Sequence, residues 1–179
     1  MASDYGNLGL IAQMQGDLNT AWDLHNKSLD ISKELGLKEV MANQYGNLGI
    51  IARKRYDLDA AWNLHNKSLE IEKELGRKEG MASDYGNLGA IAQMQGDLDA
   101  AWNLHNKSLA IEKELGSKMG MASQYGNLGS VAKQCGDMPA ACGHWCKALA
   151  LFEEVGMKPE IEMVRGWIAD ADCPAIEEG

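Results

Sequence analysis

The chain has 179 residues and a formal net charge of −9, with 45% hydrophobic and 24% charged residues. This composition is typical of a soluble globular protein, and the acidic balance argues against nucleic acid as the main partner, because phosphate binding needs a basic face. No apolar run reaches the roughly 20 residues that a membrane span needs, so we expect no membrane association, and the lack of a signal-peptide pattern favours the cytoplasm.

A 40-residue segment recurs along the chain and organises it. Each copy opens at a methionine and carries "YGNLG" a few residues later. Repeats of roughly 20–50 residues are typical of solenoids and repeat arrays. We therefore expect one domain over residues 1–172, made of repeats 1–40, 41–80, 81–120 and 121–158 and a capping helix 159–172, followed by an acidic tail, 173–179.

Each repeat is predicted to contain two helices. In the first repeat, the first helix covers about residues 2–15, and "GDL" ends it with Asp17 placed to cap the second helix. The second helix covers about residues 18–35 and separates its apolar side chains from its charged ones. Gly36 suits the end of this helix, and a short linker, "LKEV", is expected to lead to the next repeat.

The first helix of each repeat has two distinct faces. In the first repeat a narrow stripe is expected to be buried, formed by Tyr5, Leu8, Gly9 and Ala12. The opposite side, which includes Gly6 and Asn7, mixes polar and apolar residues. Gly9 is expected to let the paired helix approach closely, whereas Gly6 is expected to clear space beside Asn7.

The pattern Tyr5-x-x-Leu8-Gly9-x-x-Ala12, followed by Ala21-x-x-x-His25, resembles the tetratricopeptide repeat, and the resemblance extends over residues 1–160. It implies an all-α fold, a right-handed superhelical solenoid of antiparallel helix pairs with four repeats and a C-terminal capping helix. The first helices would line a concave groove in which family members typically bind a peptide. The period of 40 resembles the subclass found in Pins/LGN-type spindle-orientation adaptors, and kinesin light chains and bacterial peptide-sensing regulators have related long repeats.

Asparagine recurs on the mixed face of the first helices, although it is a poor helix former. The resemblance implies that Asn7, Asn47, Asn87 and Asn127 bond the backbone of a bound peptide. The alternatives are that these amides bond a neighbouring helix or were simply retained through duplication. The same face supplies the other polar or small residues predicted to contact the peptide: Gly46, Gly86, Gln13 and Gln93.

A basic triplet, "RKR", distinguishes the second repeat from the others. Arg53 and Lys54 lie on the mixed face of the predicted helix, and Lys133 occupies the Arg53 position of the fourth repeat. An acidic side chain or a C-terminal carboxylate of a peptide ligand suits such a site through charge-assisted hydrogen bonds. The alternative is a solvated charge cluster.

Several chemical functions are not supported by the sequence. The recurring histidines, His25, His65 and His105, are expected to pack in the core, because equivalent residues on neighbouring helices lie too far apart for one zinc ion. The four cysteines, all after residue 134, match no zinc spacing and are expected to be reduced. Because no catalytic constellation or phosphate-binding loop is present, we expect no enzyme activity, no metal and no cofactor.

The function favoured by these patterns is a non-enzymatic adaptor that binds a peptide segment of a partner protein. The first repeat begins at Met1 without a capping segment, so the chain is expected either to belong to a longer array or to self-associate through this end. Two alternatives stay open: a structural protein that stacks end to end, and the sensor half of a larger regulator.

Overall fold

The computed structural model describes residues 1–173, so the predicted tail lies outside the described residues except for Cys173. Within this range the chain is entirely helical and contains no strand. The helices are α1 (Ala2–Met14), α2 (Leu18–Glu34), α3 (Lys38–Lys54), α4 (Leu58–Leu75), α5 (Lys78–Gln95), α6 (Leu98–Leu115), α7 (Lys118–Gln134), α8 (Met138–Val155) and α9 (Lys158–Asp170). The predicted all-α fold of tetratricopeptide-like helix pairs is confirmed.

The described chain forms two compact units, residues 1–91 and the residues from Ala92 onward, with the boundary inside α5. In the first unit α1 packs on α2, α2 on α3 and α3 on α4. In the second, α6 packs on α7, α7 on α8 and α8 on α9. The organisation of residues 1–172 as a single domain stays a prediction. No helix in the described part of the chain is both long and apolar enough to cross a membrane.

The turn inside each repeat ends one helix and starts the next with the predicted aspartate cap. The Asp17 carboxylate accepts the backbone N–H of Thr20 at 3.0 Å, and Asp57, Asp97 and Asp137 make the same contact. The residue before the aspartate takes a left-handed conformation, which glycine adopts without steric cost. Gly16 has φ of 81°, but in the second repeat this position is Tyr56, with φ of 60°.

The connection between repeats is shorter than the sequence suggested. Gly36 and Gly76 end their helices with φ of 65° and 67°, as expected for C-terminal glycines. However, α3 begins at Lys38, so most of the "LKEV" segment forms its first turn and the expected linker is wrong. Lysine and glutamate are good helix formers, and the glycine alone is sufficient to separate the two helices.

The C-terminal helix confirms the predicted cap, and its end is tied back to α8. Val164 of α9 is fully buried, and Cys173 forms a disulfide with Cys142 of α8, with their Cα atoms 5.6 Å apart. The expectation of reduced cysteines is therefore wrong for this pair, while Cys135 and Cys146 are free thiols. The bridge closes a segment of 31 residues, which is expected to stabilise the folded state by about 3–4 kcal/mol through loop entropy.

Replacing Tyr56 by glycine is expected to raise the free energy of unfolding by about 0.5–1 kcal/mol. A side chain in the left-handed region costs about 1–2 kcal/mol, and the tyrosine loses little packing because its side chain is 79% exposed. Chemical denaturation of the full chain measures the change. The matched control is Gly16→Tyr, which should lower the stability by a similar amount. A lower denaturation midpoint for Tyr56→Gly would contradict the argument.

Candidate functional site

A groove of about 360 Å³ opens within residues 1–91 and is lined by residues of α1, α3, α4 and α5. Asn7, Asn47 and Asn87 line it from the three first helices. The sequence did not single out most of the remaining lining residues, which are Ser3, Gly6, Leu10, Val40, Ala42, Asn43, Gln44, Gly46, Ile50, His65, Ser68, Glu72, Gly80, Ser83 and Asp84. Most of the lining residues are polar, and the apolar side chains among them are Leu10, Val40, Ala42 and Ile50.

The predicted contact residues divide into several groups. Asn7, Gly46, Asn47 and Asn87 line the groove. Within residues 1–91, the ones outside its lining are Gln13, Arg53, Lys54 and Gly86. The remaining three belong to the second unit: Gln93, Asn127 and Lys133. Lys133 lines a separate pocket of about 440 Å³ with Ser130, Gln134, Trp145 and Trp167.

The basic triplet contains one residue whose role is structural. Nη2 of Arg55 donates to the carbonyl oxygen of Leu18 at 2.8 Å and to the side chain of Asn19 at 2.7 Å. Its guanidinium carbon also lies 5.1 Å from the ring centroid of Trp22. Arg55 therefore joins the first two repeats. By contrast, Nε of Arg53 is buried and has no hydrogen-bond partner.

The histidine rings pack against glycines of the first helices. A Cβ atom at Gly49 would lie 2.7 Å from Nε2 and Cδ2 of His65, and one at Gly9 would lie 2.7 Å from Cε1 of His25. These distances are too short for any real side chain, so only glycine allows the two helices to approach this closely. His25, His65 and His105 are at most 1% exposed, which confirms their predicted place in the core.

Each histidine also contacts a polar side chain on the next first helix. Nδ1 lies 2.7 Å from Oε1 of Gln44 for His25, and 2.9 Å from Oδ1 of Asp84 for His65. Because a carboxylate or amide oxygen only accepts, Nδ1 is the donor in both contacts. Burial lowers the pKa of His25 and outweighs the hydrogen bond that the ring donates to Gln44, which acts in the opposite direction, so the site favours the neutral ring.

Sequence reasoning missed these histidine partners, although a signal was present. In each case the partner follows its histidine by 19 residues, and His105 bonds Gln124 in the same way. Where the histidine becomes Trp145, the corresponding partner is the apolar Val164. The indole of Trp145 instead donates to the carbonyl oxygen of Gly126 at 3.3 Å. The two positions change together because a buried polar group requires a partner.

The glycine beside each groove asparagine does not play the same part in every repeat. A Cβ atom at Gly6 would lie 3.0 Å from Nε2 of Gln44, so Gly6 makes room for the partner of His25. At Gly46 the nearest atom is Oγ of Ser68, at 3.8 Å. Clearing the groove floor for a ligand therefore stays a prediction for Gly46, while Gly6 has a packing role of its own.

Glu72 is a buried acidic residue on the groove wall. It is 2% exposed, and its carboxyl group lies against Gly80, where a Cβ atom would be 2.2 Å from Cδ of Glu72. Nε of Arg77 lies 3.4 Å from Oε2 of Glu72. Burial raises the pKa of this carboxyl group, and the charge of Arg77 opposes the rise.

Comparison with known proteins shows which family model and which solved structures this chain resembles. Residues 39–114 match the tetratricopeptide-repeat family model, and a search of curated proteins finds no match. Among solved structures the chain is similar to BtubC (BKLC) from P. vanneervenii, with 26% identity and a TM-score of 0.79, over 87% of this chain and 64% of that one.

Two further structures share the fold at lower identity. Aspartyl phosphate phosphatase F from Bacillus subtilis has 12% identity and a TM-score of 0.86, over 92% of this chain and 43% of that one. A signal transduction ATPase with numerous domains and a tetratricopeptide repeat sensor, from Pyrococcus horikoshii, has 17% identity and a TM-score of 0.81, over 91% of this chain and 25% of that one. The chain thus spans less than two thirds of each of these proteins.

The match over residues 39–114, the helix pairs and the structural neighbours together support a tetratricopeptide-repeat fold. The repeated glycine–histidine contact supplies the close helix packing that this fold requires.

Alanine substitution is expected to affect stability differently at Gly46 and Gly49, the two glycines of "YGNLG" in the second repeat. Gly49→Ala should lower the free energy of unfolding by about 1–3 kcal/mol, because the new methyl group overlaps the rigid ring of His65. The matched control, Gly46→Ala, should raise it by up to about 1 kcal/mol through helix propensity, since its methyl group meets only an ordinary contact. Denaturation curves measure both. Equal effects of the two variants would contradict the assignment.

Proposed function

We propose that residues 1–91 bind an extended peptide segment of a partner protein in the groove. The observation that carries this proposal is that Asn7, Asn47 and Asn87, 40 residues apart in sequence, line one groove. A side-chain amide both donates and accepts, so it matches the N–H and C=O groups of a peptide backbone.

The spacing of the asparagines suits such a ligand. Packed helices lie about 8–10 Å apart, and an extended chain advances about 3.3 Å per residue. One asparagine would therefore meet about every third residue of a bound peptide. The alternative role, bonding a neighbouring helix, is not supported for Asn87, because its Nδ2 donates to the carbonyl oxygen of Ser83 within its own helix, at 3.0 Å.

Arg53 provides a second element of the proposal. It follows Ile50, the last lining residue of α3, by one helical turn. Its buried Nε without a partner would be satisfied by an acidic side chain or terminal carboxylate of the peptide, in a charge-assisted bond. With its 40-residue period, the chain then resembles Pins/LGN-type adaptors in function as well as in sequence pattern, and a cytoplasmic adaptor role is part of the proposal.

Selection from a displayed library of short random peptides tests the groove. We expect full-length wild-type protein to select peptides whose affinity falls about tenfold with Asn47→Ala/Asn87→Ala, since each lost hydrogen bond costs about 0.5–1.5 kcal/mol. Arg53→Glu should weaken those selected peptides that carry a carboxylate. Calorimetry with synthetic copies of the selected peptides measures the affinities.

The matched control for this experiment is Asn26→Ala/Asn66→Ala. These asparagines also lie 40 residues apart, and their side chains bond the carbonyl oxygens of Trp22 and Trp62 as Asn87 bonds that of Ser83. They belong to the second helices, however, and lie outside the lining of the groove. This pair should leave the affinity unchanged. Groove binding is excluded if the Asn47/Asn87 variant binds the selected peptides as tightly as wild type does.

Self-association through α1 is a second candidate, favoured by a specific contrast in exposure. Leu8 and Ile11 are 49% and 51% exposed, while the equivalent Leu48 and Ile51 of the second repeat are at most 1% exposed. The outer face of α1 therefore presents apolar side chains that are covered in the next repeat. The third candidate, the sensor half of a larger regulator, stays a prediction.

Sedimentation analysis over a range of concentrations tests this second candidate. The mass of the wild-type protein should rise with concentration, and Leu8→Gln/Ile11→Gln should abolish the rise because it removes the apolar contact. Met14→Gln is the control, since this side chain is also exposed on α1, at 88%, but should not alter the association. A wild-type protein that is monomeric throughout would exclude the candidate.

A further inference from the structure

One wall of the groove in residues 1–91 carries two buried acidic residues. Glu72 and Asp84 are 2% and 3% exposed, and both line the groove. They come from different helices, α4 and α5, yet they lie on the same wall. The carboxyl group of Glu72 rests on Gly80, and Asp84 follows Gly80 by about one helical turn on α5.

The hydrogen bonds of these carboxyl groups are incomplete. Oδ1 of Asp84 accepts from His65, but Oδ2 is buried and has no hydrogen-bond partner. Oε2 of Glu72 is also buried without one, with Nε of Arg77 at 3.4 Å. Buried polar atoms are normally hydrogen-bonded. Two carboxylate oxygens on this groove wall lack such a bond, although Oε2 of Glu72 is in ionic contact with Arg77, so the wall can accept a further donor.

The charges around this wall do not balance either. Arg77 is shared between Glu72 and Glu39, with Nη1 of the arginine 3.2 Å from Oε1 of Glu39. The charges of Asp84 and Glu79 both raise the pKa of Glu72 further, in the same direction as its burial. In the described residues that line the groove, no lysine or arginine is present. The wall therefore has an excess of negative charge.

We propose that the groove binds a cationic side chain, a lysine or arginine of the peptide segment, against Glu72 and Asp84. This inference rests on the proposed peptide-binding function and adds a statement of ligand charge. A lysine ammonium has three donors and a guanidinium five, enough to pair both orphaned oxygens. Desolvated charge pairs of this kind contribute strongly to specificity.

The acidic and basic residues lie at different positions along the first helices. Asp84 precedes Asn87 on α5, whereas Arg53 follows Asn47 on α3. The acidic wall thus lies toward the beginning of the first helices, and Arg53 lies toward their end. A segment that crosses the first helices would complement both by directing a basic side chain toward the beginnings of these helices and an acidic side chain toward their ends.

The same random-peptide library tests this inference with a second set of variants. Peptides selected by wild-type protein should be enriched in lysine or arginine relative to the unselected library. Glu72→Gln/Asp84→Asn should lose this enrichment and bind a selected peptide about tenfold more weakly, equivalent to about 1.4 kcal/mol. Replacing the basic residue of the peptide by glutamine should weaken binding to wild type but not to this variant.

The chain offers a matched control and a safeguard for folding. Glu112→Gln removes the same charge from the equivalent position of the next repeat, outside the lining of the groove, and should change neither affinity nor enrichment. Asp84→Asn alone should fold, because Gln44 and Gln124 already place amides against His25 and His105. Circular dichroism checks the fold of each variant.

The results of this experiment distinguish failure of the cationic site from failure of the peptide-binding function on which it rests. Peptides that need Asn47 and Asn87 but show no basic enrichment would overturn the cationic site and leave groove binding intact. Peptides that bind the Asn47/Asn87 variant and the Glu72/Asp84 variant as tightly as they bind wild type would overturn the proposed function. A library from which nothing is selected counts against both.

Discussion

The packing of an imidazole ring on the bare backbone of a glycine sets the geometry of this protein. His25 lies on Gly9 within its own repeat and bonds Gln44 in the next, so one side chain fixes both the distance within a helix pair and the contact between pairs. His65 does the same with Gly49 and Asp84. The ring is buried, and its Nδ1 is hydrogen-bonded, whereas its Nε2 is buried without a hydrogen-bond partner.

This contact also explains how the groove is built. By fixing each first helix against the next repeat, it places Asn7, Asn47 and Asn87 along a single opening. The partners of the histidines, Gln44 and Asp84, form part of the lining of that opening. The core and the candidate binding surface therefore share residues, and a change in a histidine partner alters the groove as well as the fold.

The sequence was sufficient to predict the parts of the structure that depend on local chemistry. The 40-residue period, the helix pairs, the Asp17 cap and the buried histidines all follow from spacing, propensity and residue type. A helix face assigned from hydrophobicity alone does not reveal Gln44 or Glu72, which are buried because their partners lie outside their own helices.

Other differences arise from contacts that no single repeat contains. Leu8 was expected in a buried stripe, but the residues that bury its equivalent, Leu48, belong to the preceding repeat. The pairing of Cys142 with Cys173 requires α9 to return along α8, and sequence spacing alone does not reveal this. In both cases the missing information is tertiary: which helix lies next to which.

The histidine contact has a consequence for how such a chain can be lengthened or shortened. The sequence repeats from methionine to methionine, but a cut at that boundary separates His25 from Gln44, and His65 from Asp84. The unit held together by these contacts begins in one first helix and ends in the next, so it is offset from the methionine-to-methionine block. Recombination or insertion that respects this unit would preserve every buried pair, whereas exchange of methionine-to-methionine blocks between unlike repeats would leave a histidine facing the wrong partner.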